Sequence, residues 1–193
     1  DDVMYPGRIS AQREQMEARP ELAFVYSDAK RIDENGARVL PNFCEHASQG
    51  QFLADDFTSL LRSNWIPAAS VLIRTSHARA IGGYDTNLFF EDHDMWLRLA
   101  SRAPFMRVDG TLVGFREVAT SLGHKRFRDD DLGWQRAKIQ IRQKHFGRDG
   151  VHDSIIASIV RPWLIYVAEC GGSSKDLAPV WWRVARSDHR PLS

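Results

Sequence analysis

Apolar runs of two kinds alternate along the first part of this 193-residue chain. Runs rich in aromatic and β-branched residues, at 22–32 and 69–73, predict buried strands, whereas helix-forming residues or helical spacing mark 8–18 and 94–101. Strands that alternate with helices are typical of α/β layer structures, and the pattern beyond residue 125 is helical only. We therefore expect an α/β domain over residues 1–125 and a helical C-terminal extension over 126–193.

Local signals predict further elements. A loop is expected over 41–50, a short helix capped by Thr75 and extending through Ala80, and short strands at 105–108 and 111–115 on either side of Asp109-Gly110. In the extension, the acids at 129–131 are expected to cap a helix over 132–145, and a second helix over 154–169 is expected to kink or restart at Pro162.

Composition narrows the possible classes of protein. Hydrophobic residues make up 43% of the sequence, charged residues 26%, and the net charge is +1. This charge does not favour nucleic acid as a partner, and no uninterrupted apolar run is long enough to span a bilayer. The cysteines, Cys44 and Cys170, form neither a zinc-binding spacing nor a disulfide framework, which is typical of a reducing cytoplasm.

An acidic cluster precedes one of the helical segments. Glu91, Asp92 and Asp94 fall within four positions, and an apolar repeat that includes Trp96 follows them. Acidic residues are favoured where a helix begins, because its first N–H groups lack helical acceptors and its dipole attracts negative charge. Asp92 or His93 is the expected cap, and Trp96 is expected in the core. A carboxylate at such a loop-to-helix corner suits a general base as well as a cap, and both interpretations stay open.

Three motifs follow one another in the middle of the chain. They are Asn64-Trp65-Ile66-Pro67 continuing to Ser70 and Arg74, Gly82-Gly83-Tyr84-Asp85, and Glu91-Asp92-His93-Asp94-Met95-Trp96-Leu97-Arg98-Leu99. In this order and at these gaps they resemble the second half of the catalytic domain of family 2 glycosyltransferases. The resemblance extends from Asp1 to about residue 146. It implies an incomplete GT-A sheet with flanking helices and a helical tail, and it implies that the first half of the domain precedes Asp1.

The resemblance also implies an activity, namely sugar transfer from a nucleotide-sugar donor to an acceptor hydroxyl with inversion at the anomeric carbon. Asp92 would be the general base that takes the hydroxyl proton, and Glu91 would orient the site or touch the acceptor. The implied acceptor is a glycan or a lipid-linked molecule, as in the synthesis of polysaccharides or cell-envelope glycans. The alternative is a truncated, non-catalytic carbohydrate-binding or interaction module.

Metal binding is implied in the same way. Asp1 and Asp2 match the end of the family's D-x-D-D segment, whose carboxylates hold Mg²⁺ or Mn²⁺ against the donor diphosphate. Arg116 matches the start of a second segment, R-x-H, and would contact the substrate. Val118 occupies the histidine position of that segment, so His124 is a candidate metal ligand in its place. A histidine with only a surface role is the simpler interpretation of His124.

Three further residues are candidates for substrate binding, each with a structural alternative. Trp65 could stack on a sugar or fill the core, and Gly82 and Gly83 could admit the sugar or form a turn that ends a helix. Basic residues alternate with acids over 125–144 and read as a solvated helix face, or as a contact for diphosphate or anionic lipid. We therefore expect a cytoplasmic protein whose C-terminal helices are candidates for peripheral contact with the inner face of the cell membrane.

Overall fold

The computed structural model describes residues 1–47, 54–118, 131–171, 175 and 177–187. The chain divides into two compact units. The first comprises Asp1–Asp85 and Met95–Ser121, and the second comprises Thr86–Asp94 and Leu122–Ser193. The predicted boundary at residues 125 and 126 lies outside the described residues and stays a prediction.

A mixed sheet forms the centre of the first unit. Its strands are β1 (Val3–Met4), β2 (Phe24–Ile32), β3 (Leu72–Ile73) and β4 (Phe105–Arg116), in the order β1-β4-β2-β3. The long strands β2 and β4 run parallel, and each short strand pairs antiparallel with one of them. The predicted mixed α/β architecture is confirmed, and it is consistent with a partial GT-A fold.

The helices of the first unit flank this sheet. They are α1 (Arg8–Ala18), α2 (Phe43–Ala47), α3 (Phe57–Arg62), α4 (Thr75–Ala80) and the second part of α5 (Glu91–Ala100). The prediction for α1 is confirmed at the same bounds. Helix α4 ends at the predicted residue, but Thr75, the expected cap, is its first helical residue. The prediction of a loop over 41–50 is wrong where α2 forms, and a tertiary contact supports this short helix. The Asp28 carboxylate, buried beside it, accepts a hydrogen bond of 3.0 Å from the Cys44 backbone N–H.

The second departure from the sequence prediction concerns β4, for which two strands were expected on either side of Asp109-Gly110. A single strand forms instead, because these two residues bulge out of the ladder. Val108 pairs with Ser27 and Thr111 pairs with the next residue of β2. Gly110 has a φ of 97°, a left-handed conformation that glycine adopts at little cost. The turn signal was real, but it marks a bulge rather than a chain reversal.

Aromatic residues join the sheet to α5 in the core of the first unit. The Phe24 ring on β2 stacks on Phe105 of β4 at 4.7 Å between centroids. It also lies 5.4 Å from the ring of Trp96 on α5. Each of the three side chains is buried, and Trp96 has no exposed surface. The predicted core position of Trp96 is therefore confirmed.

Helices make up the described part of the second unit. They are the first turn of α5, then α6 (Leu132–Gln143), α7 (Gly150–Glu169) and α8 (Ala178–Ser187). Asp131 caps α6 as predicted, since its carboxylate accepts a hydrogen bond of 2.9 Å from the Trp134 N–H. Helix α7 continues through Pro162, where a kink or restart was expected, and a stripe of apolar residues along it is buried. Within the described residues, every helix is too short or too polar to cross a membrane.

Candidate active site

Asp92 lies in the first turn of α5, which begins at Glu91. The prediction that Asp92 or His93 caps this helix is therefore wrong, since both are helical residues. One oxygen of its carboxylate accepts a hydrogen bond of 2.6 Å from the His93 backbone N–H. Burial raises the pKa of Asp92 from an ordinary value of 3.8 to about 6, and the neighbouring charge of Glu91 adds to the rise, whereas the backbone hydrogen bond opposes it. A carboxyl with this pKa is largely ionised at neutral pH yet basic enough to accept a proton, as a general base must be.

Residues of α6 and its C-terminal end hold this turn within the second unit. The Asp94 carboxylate is completely buried and accepts a hydrogen bond of 2.8 Å from Lys144 Nζ. The Phe90 ring lies 4.6 Å from the Trp134 ring in an edge-on arrangement. The pairing of Asp94 with Lys144 was not predicted, because 50 residues separate them and Lys144 lies in a basic run whose pattern is typical of a solvated helix face. In the structure this lysine supports the turn that carries Asp92.

Gly82 and Gly83 end helix α4. Their φ angles are 79° and 73°, and their N–H groups donate to the carbonyls of Arg79 and Ala78 at 3.1 and 2.9 Å. A Cβ added to either glycine would meet no atom within 4 Å, so backbone conformation rather than crowding explains the preference for glycine. This geometry matches the turn interpretation, and an approach to the sugar stays a prediction.

Arg98 links two of the three motifs inside the first unit. Its Nη1 donates to the Ile81 carbonyl at 2.8 Å, and its Nη2 donates to the Gly83 carbonyl at 2.7 Å. The arginine of the acidic motif thereby fixes the glycine turn, which gives a physical reason for the two motifs to occur together. This role of Arg98 was not predicted, although a cation between two apolar residues, Leu97 and Leu99, both buried in the structure, was a usable signal.

Replacement of Arg98 by methionine is expected to destabilise the protein by about 2 kcal/mol, because two charge-assisted hydrogen bonds are lost. This loss of stability is smaller than the summed free energies of two such hydrogen bonds. The Ile81 and Gly83 backbones are only partly buried, so water can replace the guanidinium as their hydrogen-bond donor. Arg98→Lys should lose about half as much, because one ammonium cannot reproduce the planar fork. Urea denaturation measures both values, and equal losses in the two variants would contradict this account.

Residues of the first motif anchor the backbone of the first unit. Arg74 donates from Nη2 to the Met16 carbonyl at 2.7 Å and from Nε to the Leu22 carbonyl at 3.1 Å. Trp65 is 3% exposed, and its Nε1 donates to the Tyr26 hydroxyl at 2.7 Å. This placement matches the core interpretation of Trp65, and a contact with substrate stays a prediction.

Arg116 lies beside the two acids at the start of the described chain. Its backbone N–H donates to an Asp2 carboxylate oxygen at 2.8 Å, and its Nε donates to the Asp1 carbonyl at 2.9 Å. Its Nη1 donates to the carbonyls of Asp33 and Glu34 at 2.7 and 2.6 Å. One side chain thus ties the segment before β1 to the turn after β2. The structure brings these predicted site residues together, whereas His124 lies outside the described residues.

The number of metal-binding side chains near Asp1 and Asp2 determines which kind of metal site the described residues could form. No group of three or more His, Cys, Asp or Glu side chains suited to a metal occurs among them. Mg²⁺ commonly binds through one or two carboxylates, with substrate phosphates and water as its other ligands. The two exposed carboxylates therefore fit a cation shared with a diphosphate, rather than one enclosed by protein alone.

Comparison with known proteins identifies the class. The family model described as Glycosyltransferase like family 2 matches residues 4–155, so this chain belongs to that family. The resemblance drawn from the three motifs is confirmed, and members of the family generally use a divalent metal. A curated relative is the amylovoran biosynthesis glycosyltransferase AmsE of Erwinia amylovora, which is 23% identical over 146 residues. The match covers 74% of this chain and 49% of AmsE, so the chain spans about half the length of that relative.

Proposed function

We propose that the protein transfers a sugar from a nucleotide-sugar donor to a hydroxyl group of a glycan or lipid-linked acceptor, with inversion at the anomeric carbon. The observation that supports this proposal most strongly is the burial of Asp92 and its raised pKa. This residue has a partly buried carboxyl with a pKa of about 6 in the first turn of α5, inside the acidic motif by which the chain resembled its family. Family membership supports glycosyl transfer in general, and the tuned carboxyl supports a base-assisted route.

In the proposed mechanism Asp92 takes the proton of the acceptor hydroxyl while the hydroxyl oxygen attacks the anomeric carbon. The bond from that carbon to the nucleoside diphosphate breaks on the opposite face, through an oxocarbenium-like transition state. Glu91, exposed at the start of the helix, would orient the acceptor. A divalent cation held by Asp1 and Asp2 would offset the charge that grows on the departing diphosphate. Arg116 would keep these two acids in place, since its contacts are with the backbone of their segment and with Asp2.

We further propose that the transfer belongs to the synthesis of a polysaccharide or cell-envelope glycan in the cytoplasm. The printed name of AmsE assigns that relative to the biosynthesis of amylovoran, which supports a role of this type. A lipid-linked acceptor would bring the protein to the inner face of the cell membrane as a peripheral partner.

The proposal is tested by incubating the purified whole chain with a panel of nucleotide sugars and measuring release of nucleoside diphosphate with and without acceptor glycans. We expect release from at least one donor, faster with an acceptor, abolished by EDTA and restored by Mn²⁺ or Mg²⁺. Val118 stands where the resembling family has a histidine that helps to hold metal or diphosphate, and this residue is the observation that favours a non-catalytic module as a second candidate. Retention of glycans without diphosphate release from any donor would support that candidate and contradict enzymatic transfer.

A further inference from the structure

A groove in the second unit is lined by residues that the proposed mechanism does not use. Its cavity measures about 120 Å³, and its wall includes Phe146, Gly147, Asp153, Trp182, Arg183 and Arg186. Ligand pockets commonly measure about 300–1,000 Å³, so this smaller groove can take in the charged end of a ligand while the rest of the ligand stays outside. Helix α8 supplies Trp182 and both arginines, the loop between α6 and α7 supplies Phe146 and Gly147, and α7 supplies Asp153.

The solvent-accessible charge of this groove is positive. Arg183 and Arg186 are both exposed, and α8 contains no acidic residue. Asp153 is the acid in the wall, but it is 5% exposed and accepts a hydrogen bond of 2.6 Å from the Gly147 N–H. A negatively charged group would therefore meet two guanidinium groups before it met the carboxylate. Guanidinium groups bind carboxylates and phosphates through paired hydrogen bonds, which makes these two anions the expected ligand groups.

Aromatic rings support both arginines. The Arg186 guanidinium lies 4.2 Å from the centre of the Trp182 ring, and the Arg183 guanidinium lies 5.8 Å from that of Phe146. Arg183 Nη1 also donates to the Phe146 carbonyl at 3.2 Å. An arginine has five N–H donors, so both side chains are oriented while most of their donors are available to a ligand. The Trp182 side chain adds an apolar wall, with 59% of the residue exposed.

We propose that this groove binds an acidic saccharide, meaning a sugar ring that carries a carboxylate or a phosphate group. Trp182 would contact the ring, and Arg183 and Arg186 would bind the anion. A concave site suits a ring with its charged substituent better than the broad surface of a membrane. The lining residues alone indicate a ligand with a negatively charged group. The further step, that a sugar carries this group, rests on the proposed glycosyl transfer.

Isothermal titration with defined probes tests this assignment on the whole chain. The probes are an oligogalacturonate, glucose 1-phosphate, a neutral oligosaccharide of matched length and inorganic phosphate. We expect the two acidic saccharides to bind about tenfold more tightly than the neutral sugar and than phosphate alone. Arg183→Gln and Arg186→Gln should each weaken binding of the acidic saccharides by about tenfold, since each removes hydrogen bonds to a charged group. Trp182→Ala should also weaken it, whereas Trp182→Phe should retain most of it.

The matched control is Arg79→Gln, which removes an exposed arginine from α4 in the first unit and should leave binding unchanged. Equal binding of the neutral oligosaccharide or of phosphate alone would overturn the proposal, and so would a signal that survives all three groove variants. Binding to phosphatidylglycerol vesicles without binding to the saccharides would assign the groove to lipid instead. None of these measurements requires turnover, so failure here leaves the transferase proposal intact, and a lack of transfer would not remove this site.

Discussion

Replacing Asp92 by asparagine is expected to lower the rate of sugar transfer by about 10²–10⁴-fold, the range that general base catalysis typically contributes. Asparagine keeps the shape of the side chain and can still accept the hydrogen bond from the His93 N–H, but it cannot take a proton. The wild-type rate should rise with pH through the pKa of Asp92, about 6, and the residual rate of the variant should not show this step. Initial rates across the pH range, at saturating donor and metal, provide the measurement.

The same substitution is expected to stabilise the protein at higher pH. Burial raises the pKa of Asp92 from 3.8 to about 6, so the folded chain holds this proton more tightly than the unfolded chain between those values. Stability therefore falls as pH rises through this window, by up to about 3 kcal/mol for a shift of this size. The Asp92→Asn variant would not carry this penalty, and the gain should be largest above pH 6 and should disappear below pH 3.8. Urea denaturation at several pH values checks the direction.

Asp109→Asn is the matched control for both measurements, since Asp109 is an exposed carboxylate in the bulge of β4. It should change neither the rate nor the pH dependence of stability. If Asp92→Asn left the rate of transfer unchanged, Asp92 would not be the base. If that variant lost both activity and stability at high pH, its inactivity would reflect damage to the fold.

Local patterns in the sequence predicted much of the fold, and contacts between distant residues account for what they missed. Helix α1 has the predicted bounds and helix α4 ends at the predicted residue, because helix propensity and terminators act within a few residues. Helix α2 has no periodic signal and depends on the buried Asp28 carboxylate, which a reading of neighbouring residues cannot supply. The Asp109-Gly110 signal correctly placed an irregularity, but only the pairing with β2 shows it to be a bulge.

For the candidate site, too, some features were predictable from the sequence and others were not. The order of the motifs indicated the family, and the acidic cluster at a helix start indicated the position of Asp92. The supporting contacts were not predictable, because each joins residues far apart in the chain. Arg116 lies more than 100 residues from Asp2, and Lys144 lies 50 residues from Asp94. Burial of Asp92, which raises its pKa, is likewise a property of the folded chain and not of its neighbours in sequence.

Three arginines show why motif residues need not touch a substrate. Arg74, Arg98 and Arg116 each donate to two or more backbone carbonyls of other segments in the first unit. A planar guanidinium can satisfy several carbonyls at once, so it can fix a loop that no regular hydrogen-bonding pattern holds. In this unit, motif arginines fix the geometry of loops, and this role is distinct from the chemistry expected of the carboxylates.

Loss of the Trp96 side chain is expected to have the largest effect on stability. Trp96 has no exposed surface, packs against Phe24 at 5.4 Å and meets Tyr84 edge-on at 6.4 Å. Trp96→Ala should therefore lower the free energy of unfolding by about 3–5 kcal/mol, the usual cost of removing a buried aromatic side chain and leaving a cavity. Urea denaturation followed by far-ultraviolet circular dichroism would detect this loss, which is a large share of the stability of an ordinary domain.

Trp96→Phe separates packing from hydrogen bonding at the same position. Among the described residues the Trp96 Nε1 is buried without a hydrogen-bond partner, so phenylalanine removes a polar group that burial penalises. It retains a ring against Phe24, and the expected cost is below about 1.5 kcal/mol. If phenylalanine proved as costly as alanine, the indole N–H would have to be bonded in the folded protein. A small cost would show instead that ring packing between α5 and the sheet, rather than any polar contact, makes this tryptophan necessary.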